Sequence, residues 1–417
     1  MSLDWGSWSD RFRWRVSRRG NVVELWATPG AIGDQAARLT GEPIRALTIE
    51  NADVAGVAAI SLRAPFRNLR QLSVEANGLS GDLVATLVER LHSPRLHSLS
   101  LARVQLEGTG PRWRKVLAGA ASLEKLELTG CFTSGDAAAA FLRDARLPHV
   151  RRLLLAENGL GHGVEPIARE LRGSGLRLIE LGVGSNALDG PSMCRLLEGL
   201  RLEALWLTQN PLGPEGMRRI ARSHEARSIR QIGLARCQLG DAGARAMTLW
   251  LGSSTLEHVH ADGNGLGVAS ARHFAAHWRS NLGATLLLAE NQLGDDGVEA
   301  LVSTSAGERL RSLTLSGNGL TAKAMRALAR SPHLTRLREL ELSDNELGDE
   351  GAIALCESPL LGRLSELDLS ANGIARVGAR ALADRAGRRL RSFWLLRGNE
   401  VPAMFVQTMR SHGVGVV

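Results

Sequence analysis

Residues 337–351, Leu337-Arg338-Glu339-Leu340-Glu341-Leu342-Ser343-Asp344-Asn345-Glu346-Leu347-Gly348-Asp349-Glu350-Gly351, set four leucines in a fixed frame around Asn345. The frame, Leu-x-x-Leu-x-Leu-x-x-Asn-x-Leu, recurs along the chain, with its asparagine at Asn77, Asn158, Asn186, Asn210, Asn264, Asn291, Asn318, Asn345 and Asn372. From Asn210 to Asn372 every step is 27 residues once Cys237 is counted as holding the asparagine position, and the two steps before are 28 and 24. Such a period marks a stack of similar small repeats, each burying its apolar face on its neighbours.

Each repeat reads as strand, turn and helix. The Leu-x-Leu pair puts two side chains on one face of a short strand, and the residues between and beside them must point the other way. Gly240-Asp241, Gly294-Asp295 and Gly348-Asp349 follow the asparagine turn and are expected to offer an N-cap oxygen to the helix that comes next in the same repeat. Residues 351–357 then place apolar side chains at helical spacing. Because parallel strands stack about 4.8 Å apart and packed helices about 8–10 Å apart, such a stack curves with its strands inside. A buried asparagine at each turn is expected to satisfy backbone groups there.

The repeats begin weakly at Ile44–Ile49, with Ala52 in the asparagine position, and Val104 and Cys131 also depart from it. About 14 repeats fill residues 44–400, the last around Leu390, Phe393 and Leu395, with Asn399 out of step with those apolar residues. Residues 1–43 do not follow the repeat. Phe12, Trp14 and Val16 alternate with arginines, Arg18-Arg19-Gly20-Asn21 reads as a turn and residues 22–27 as a return strand, so this segment is expected to cap the first repeat as a β-hairpin. Residues 401–417 are expected to cap the other end.

Composition narrows the class. The interior must be built from Leu, Val, Ile and Ala, since only seven Phe, nine Trp and no Tyr are present. The formal charge of +8 is carried by arginine, with Lys115, Lys125 and Lys323 the only lysines; this can reflect a phosphate-binding surface or simply codon usage. Four scattered cysteines form neither a disulfide framework nor a zinc knuckle and suit a reducing compartment. No stretch approaches the roughly 18 apolar residues of a membrane span, and the start lacks the apolar core of a signal peptide. A cytoplasmic, monomeric protein without membrane attachment is the expectation.

The pattern LxxLxLxxNxLGDxG, with a helix in every repeat, resembles the ribonuclease-inhibitor subfamily of leucine-rich repeat proteins, which includes Ran GTPase-activating protein and the sensor regions of NOD-like receptors. The resemblance covers roughly residues 44–400. It implies a right-handed α/β solenoid, a horseshoe with a parallel sheet on the concave face and helices on the convex face, that holds a protein partner. No motif carries over the arginine of the GTPase-activating members, so no catalytic residue is transferred.

On such a fold the concave residues flank the leucines. Glu339, Glu341, Glu366 and Asp368 fall on neighbouring strands, with Asp344 at the adjoining turn. Like charges placed side by side destabilise a sheet, which suggests a basic ligand; the alternative is a solvated polar face relieved by arginines such as Arg338. Trp206 is expected to project from the sheet as an interface anchor or to lie flat over Gly182 and Gly233. His258 and His260 share a strand face beside Asp262, and partner contact is the better reading because no His-Glu-x-x-His arrangement supports zinc. The glycines near Asn158 and Asn264 belong to the turns, and no phosphate-loop motif occurs. Neither a metal, a cofactor nor a nucleophile with its base is expected.

These readings converge on a non-enzymatic protein-binding scaffold that takes a partner with a basic patch. The alternative is a regulator of a small GTPase, by similarity to the activating members. Nucleic-acid binding, the weakest reading, rests on net charge and the basic run Arg11–Arg19 alone.

Overall fold

The computed structural model describes residues 23–27, 44–55, 57, 68–91, 93–161, 163–252, 256–278, 284–387 and 389–417. It falls into two bodies, an N-terminal one ending at Leu188 and taking in Arg195–Leu202, and a C-terminal one of Asp189–Cys194 with Glu203–Val417. Each is an α/β solenoid.

The N-terminal body carries β1 (Val23–Ala27), β2 (Ile44–Ala52), β3 (Gln71–Ala76), β4 (Ser98–Ala102), β5 (Lys125–Thr129), β6 (Arg152–Leu154) and β7 (Glu180–Gly182). Each pairs in parallel with the next. Strand β1 thus extends the sheet at its first edge, while the other strand and the turn expected for the hairpin lie outside the described residues. The C-terminal body carries β8 (Ala204–Trp206), β9 (Gln231–Gly233), β10 (His258–His260), β11 (Ala284–Leu287), β12 (Leu310–Thr314), β13 (Glu339–Glu341), β14 (Glu366–Asp368) and β15 (Ser392–Trp394), also parallel in sequence order. Their central residues, Leu205 through Leu340 to Phe393, are buried against the helices. Alternation therefore leaves the flanking residues on an open face. Helices pack through small residues: a Cβ on Gly378 would lie 3.0 Å from that of Ala352 in the preceding helix.

Eight of the nine turn asparagines are buried. Asn264 shows why. Its Oδ1 accepts from the amides of Cys237 (2.9 Å) and Leu239 (3.3 Å), and its Nδ2 donates to the carbonyls of Leu234 (2.8 Å), Ala261 (3.0 Å) and Asp262 (3.1 Å). The amide of Asn264 in turn donates to Asn291 Oδ1 (2.9 Å). Asn158, Asn186, Asn291, Asn318, Asn345 and Asn372 likewise stitch their own turns to the ones before them. Cys131 and Cys237 reproduce only the donor half, their thiols lying 3.4 and 3.2 Å from the carbonyls of Leu101 and Leu207. Burial lifts both thiol pKa values to about 11, which keeps that proton in place.

Two positions depart from the sequence reading. Asn77 is exposed, and the next repeat offers only Val104, which has no polar side-chain atom. Asn399 does enter the ladder: it accepts from the amides of Asn372 and Ile374 (both 3.0 Å) and donates to the Leu369 carbonyl (2.8 Å). The extra residue lies between Leu395 and Asn399, whose Nδ2 still donates to the Leu395 carbonyl (2.7 Å), and Gly398 keeps the positive φ found before the asparagine in the other turns.

The helix caps require a correction. The helices Gly240–Ala246, Gly294–Val302 and Gly348–Cys356 have leucine at their N-caps and no side-chain cap bond. Their aspartates reach forward instead. Asp241 Oδ1 accepts from the amides of Gly267 (2.8 Å) and Ser270 (3.1 Å), Asp295 Oδ1 from those of Thr321 (2.9 Å) and Ala324 (3.1 Å), and Asp349 Oδ1 from that of Ala375 (2.7 Å). The reason lies in the backbone: Gly240, Gly294 and Gly348 enter their helices at φ near +55 to +58°, whereas Gly267, Thr321 and Ala375 enter extended, at −105, −109 and −113°. The extended entry exposes amides that need an oxygen, and the aspartate of the preceding repeat lies over them. Successive repeats from Gly240 onward therefore alternate between donor and recipient forms.

This junction should weaken in acid. Burial pushes the Asp241 carboxyl up, but bonds from Ser270 and Gly267 outweigh it and hold the pKa below the ordinary value. A depressed folded-state pKa contributes stability that is complete above the ordinary carboxylate range and is lost as pH falls through the depressed value. Asp241→Asn is expected to flatten the acid limb of a melting-temperature profile. Asp349→Ala, which removes the carboxylate from a helix start whose own N-cap residue, Ala375, has no side-chain oxygen, is expected to cost about 1–2 kcal/mol in urea unfolding; an unchanged midpoint would contradict the forward cap.

Candidate protein-binding face of the C-terminal body

Strand register sorts the open face into rows. One runs Ala204, Gln231, His258, Thr285, Ser312, Glu339, Glu366 and Ser392, and the next runs Trp206, Gly233, His260, Leu287, Thr314, Glu341, Asp368 and Trp394. Glu339 stands beside Glu366 and Glu341 beside Asp368, on strands about 4.8 Å apart. Asp344 is not among them. It occupies a turn at φ +56°, exposed, its amide donating to the Ser370 carbonyl (3.0 Å).

The four carboxylates differ from other acids on the strands and in the segments that flank them. Glu127 lies 3.4 Å from Lys125, Glu180 lies 3.5 Å from Arg152 and Glu290 lies 2.6 Å from Arg236, and Glu257 pairs with Arg230. Among the described residues no cation lies within ion-pair distance of Glu339, Glu341, Glu366 or Asp368. Arg338 turns away, its Nη1 donating to the Leu337 carbonyl at 2.7 Å. Glu341 accepts from the Thr314 hydroxyl at 3.2 Å. Even so, burial first, and then the charges of Asp368, Asp262 and Glu339, raise its carboxyl above the ordinary range.

At the other end of the row, Trp206 is half-buried. A Cβ on Gly233 would lie 2.5 Å from its Cε3, and its ring centroid is 5.2 Å from that of His260 at an interplanar angle of 67°. The indole therefore leans across β9, over the glycine, with an edge against the imidazole. Burial lowers the pKa of both His258 and His260, and each is further affected by charge: Glu257 opposes the shift at His258, and His258 adds to it at His260. Asp262 sits one row further, its Oδ1 taken up by the amide of Ala289 (2.7 Å), and burial raises its pKa. Among the described residues no group of three or more His, Cys, Asp or Glu is placed to hold a metal ion.

Two exposed apolar residues escaped the sequence reading. Trp394, on the strand next to Asp368, and Leu396, in the bend just past that strand, are each 36% exposed. The signal was present, because Phe393 and Leu395 set the frame that turns Trp394 outward as Leu205 and Leu207 turn Trp206.

Repeats of strand, asparagine turn and helix in this register define a leucine-rich repeat protein. The leucine-rich repeat family profile matches residues 285–302, 333–356 and 364–383. No curated protein matches the chain. Solved structures similar to it include the yeast Rad7–Elc1 complex (16% identity, 84% of this chain and 85% of that one, TM-score 0.46). An internalin from Listeria monocytogenes (15%, 84% and 80%, 0.39) and the mouse RP105/MD-1 complex (15%, 98% and 73%, 0.45) are similar to a comparable degree. Similarity at this level bears on neither partner nor activity. No helix among the described residues is long and apolar enough to cross a membrane.

Proposed function

We propose that the chain is a non-enzymatic, cytoplasmic scaffold that binds a protein partner on the open sheet face of its C-terminal body, and that the partner presents a basic surface there. One observation carries this reading. Four carboxylates stand in register on β13 and β14 without a cation, although the chain as a whole is rich in arginine and pairs Glu127 and Glu180 on other strands. A basic partner relieves that repulsion, and rigid strands hold the side chains in place beforehand, so little conformational entropy is lost on docking. Trp206, His258, His260 and Asp262 extend the same face and are proposed as its outer contacts. The 27-residue recurrence with a helix in each repeat supports kinship with the ribonuclease-inhibitor subfamily, and free cysteines support a reducing compartment.

The test compares immobilised wild-type chain with a Glu341→Lys/Asp368→Lys variant and with Trp206→Ala, using quantitative mass spectrometry of what each retains. Charge reversal is expected to lower recovery of the principal partner by about tenfold or more and Trp206→Ala by a smaller factor. Equal recovery on all three would remove this face from consideration.

A further inference from the structure

The C-terminal end of the open face combines an exposed aromatic ring with uncompensated carboxylates. Trp394 stands beside Asp368, which stands beside Glu341. On its other flank the tail adds one more parallel segment: Val416 pairs with Phe393, which places Val417 next to Trp394. Val417 is 60% exposed. Leu396, in the bend just past β15, is 36% exposed, and its amide donates to the Val417 carbonyl at 3.3 Å. The result is an apolar end continuous with an acidic row, on a surface that the described cations leave unpaired.

We propose that the element recognised here is an arginine of the partner, its guanidinium lying on the Trp394 ring while its nitrogens reach Asp368 and Glu341, followed by an apolar side chain over Leu396 and Val417. The inference deepens the proposed function and rests on it. Charge complementarity alone would accept lysine equally well. Only a planar cation both stacks on an indole and presents a fork of donors to neighbouring carboxylates, whereas an ammonium is a compact, strongly hydrated point charge. The apolar flank adds a requirement that a purely polar basic segment does not meet.

The experiment titrates the full chain into a fluorescein-labelled hexapeptide alternating leucine with arginine, and into its lysine counterpart of equal charge, and reads anisotropy. The arginine peptide is expected to bind about fivefold tighter, the ratio that a cation–π contact of about 1 kcal/mol confers. Trp394→Leu, an outward position whose replacement leaves the core untouched, should bring the ratio to about one without weakening the lysine peptide. Glu341→Gln/Asp368→Asn should weaken both peptides. Equal affinities on the wild-type chain, or a ratio that survives Trp394→Leu, overturns the arginine inference and leaves the acidic-face reading standing. Peptides that bind the neutralised variant as tightly as wild type, or that fail to bind wild type at all, overturn both.

Discussion

Asn264→Ala is expected to lower the stability of the C-terminal body by about 3–5 kcal/mol, because buried polar groups left without partners cost roughly 1–3 kcal/mol each. The side chain makes five hydrogen bonds at 4% exposure. Its removal strands the amides of Cys237 and Leu239 and the Leu234 carbonyl of the preceding repeat, while the Ala261 and Asp262 carbonyls keep the Asn291 side chain and the Arg236 amide as donors. Urea unfolding followed by circular dichroism would read the loss. Hydrogen exchange should place the earliest opening at those two amides. Asn264→Cys separates the two halves of the interaction: the thiol at Cys237 already donates to a carbonyl in this setting, so the variant is expected to recover about half of the deficit while leaving the same amides unprotected. A loss below about 1 kcal/mol for the alanine variant would show that the ladder is incidental to stability.

Removing residues 414–417 should have the second-largest effect. The tail closes the free edge of β15: the amide of Phe393 donates to Gly415 (2.9 Å), that of Leu395 to Val417 (3.2 Å), and that of Val417 back to Phe393 (2.8 Å). Val414 and Val416 are buried beneath it. Without it an unpaired parallel edge and an apolar layer meet water together, the combination that recruits another chain. Sedimentation velocity is expected to show concentration-dependent association of the truncated chain, with a stability loss of about 2–4 kcal/mol from the lost burial of two valines and the tail's hydrogen bonds. A truncated chain that stays a single, equally stable species would mean the edge is protected by other means.

The fold was legible because its signals are repeated: leucine spacing gave the strand frame and hence which residues face outward, down to the pairing of Glu341 with Asp368. What escaped depends on backbone conformation that residue spacing does not reveal. Asp241, Asp295 and Asp349 sit at the start of helices and were read as local caps, but a turn entered at positive φ carries its own amides away from the carboxylate and toward the next repeat. Asn399 looked displaced by counting, yet it keeps its 27-residue distance from Asn372 and bonds the Asn372 amide as the other ladder asparagines bond theirs. Trp394 stands between Phe393 and Leu395, whose burial determines its outward direction. The direction of Arg338 was open from sequence alone, since a long side chain on a strand has several carbonyls and carboxylates within range.

The alternation of helix entries also sets how such a chain can be rearranged by duplication or loss. Excising a single 27-residue segment from the regular region would bring two donors or two recipients together, leaving a helix start with no carboxylate over it or a carboxylate with nothing to hold. Excising 54 residues, the span that also separates Arg236 from its partner Glu290, rejoins unlike neighbours and restores every junction. Between Gly240 and Ala375 the repeating block is accordingly a doublet, and versions shortened there by a whole doublet should keep more of their stability than those shortened by one repeat.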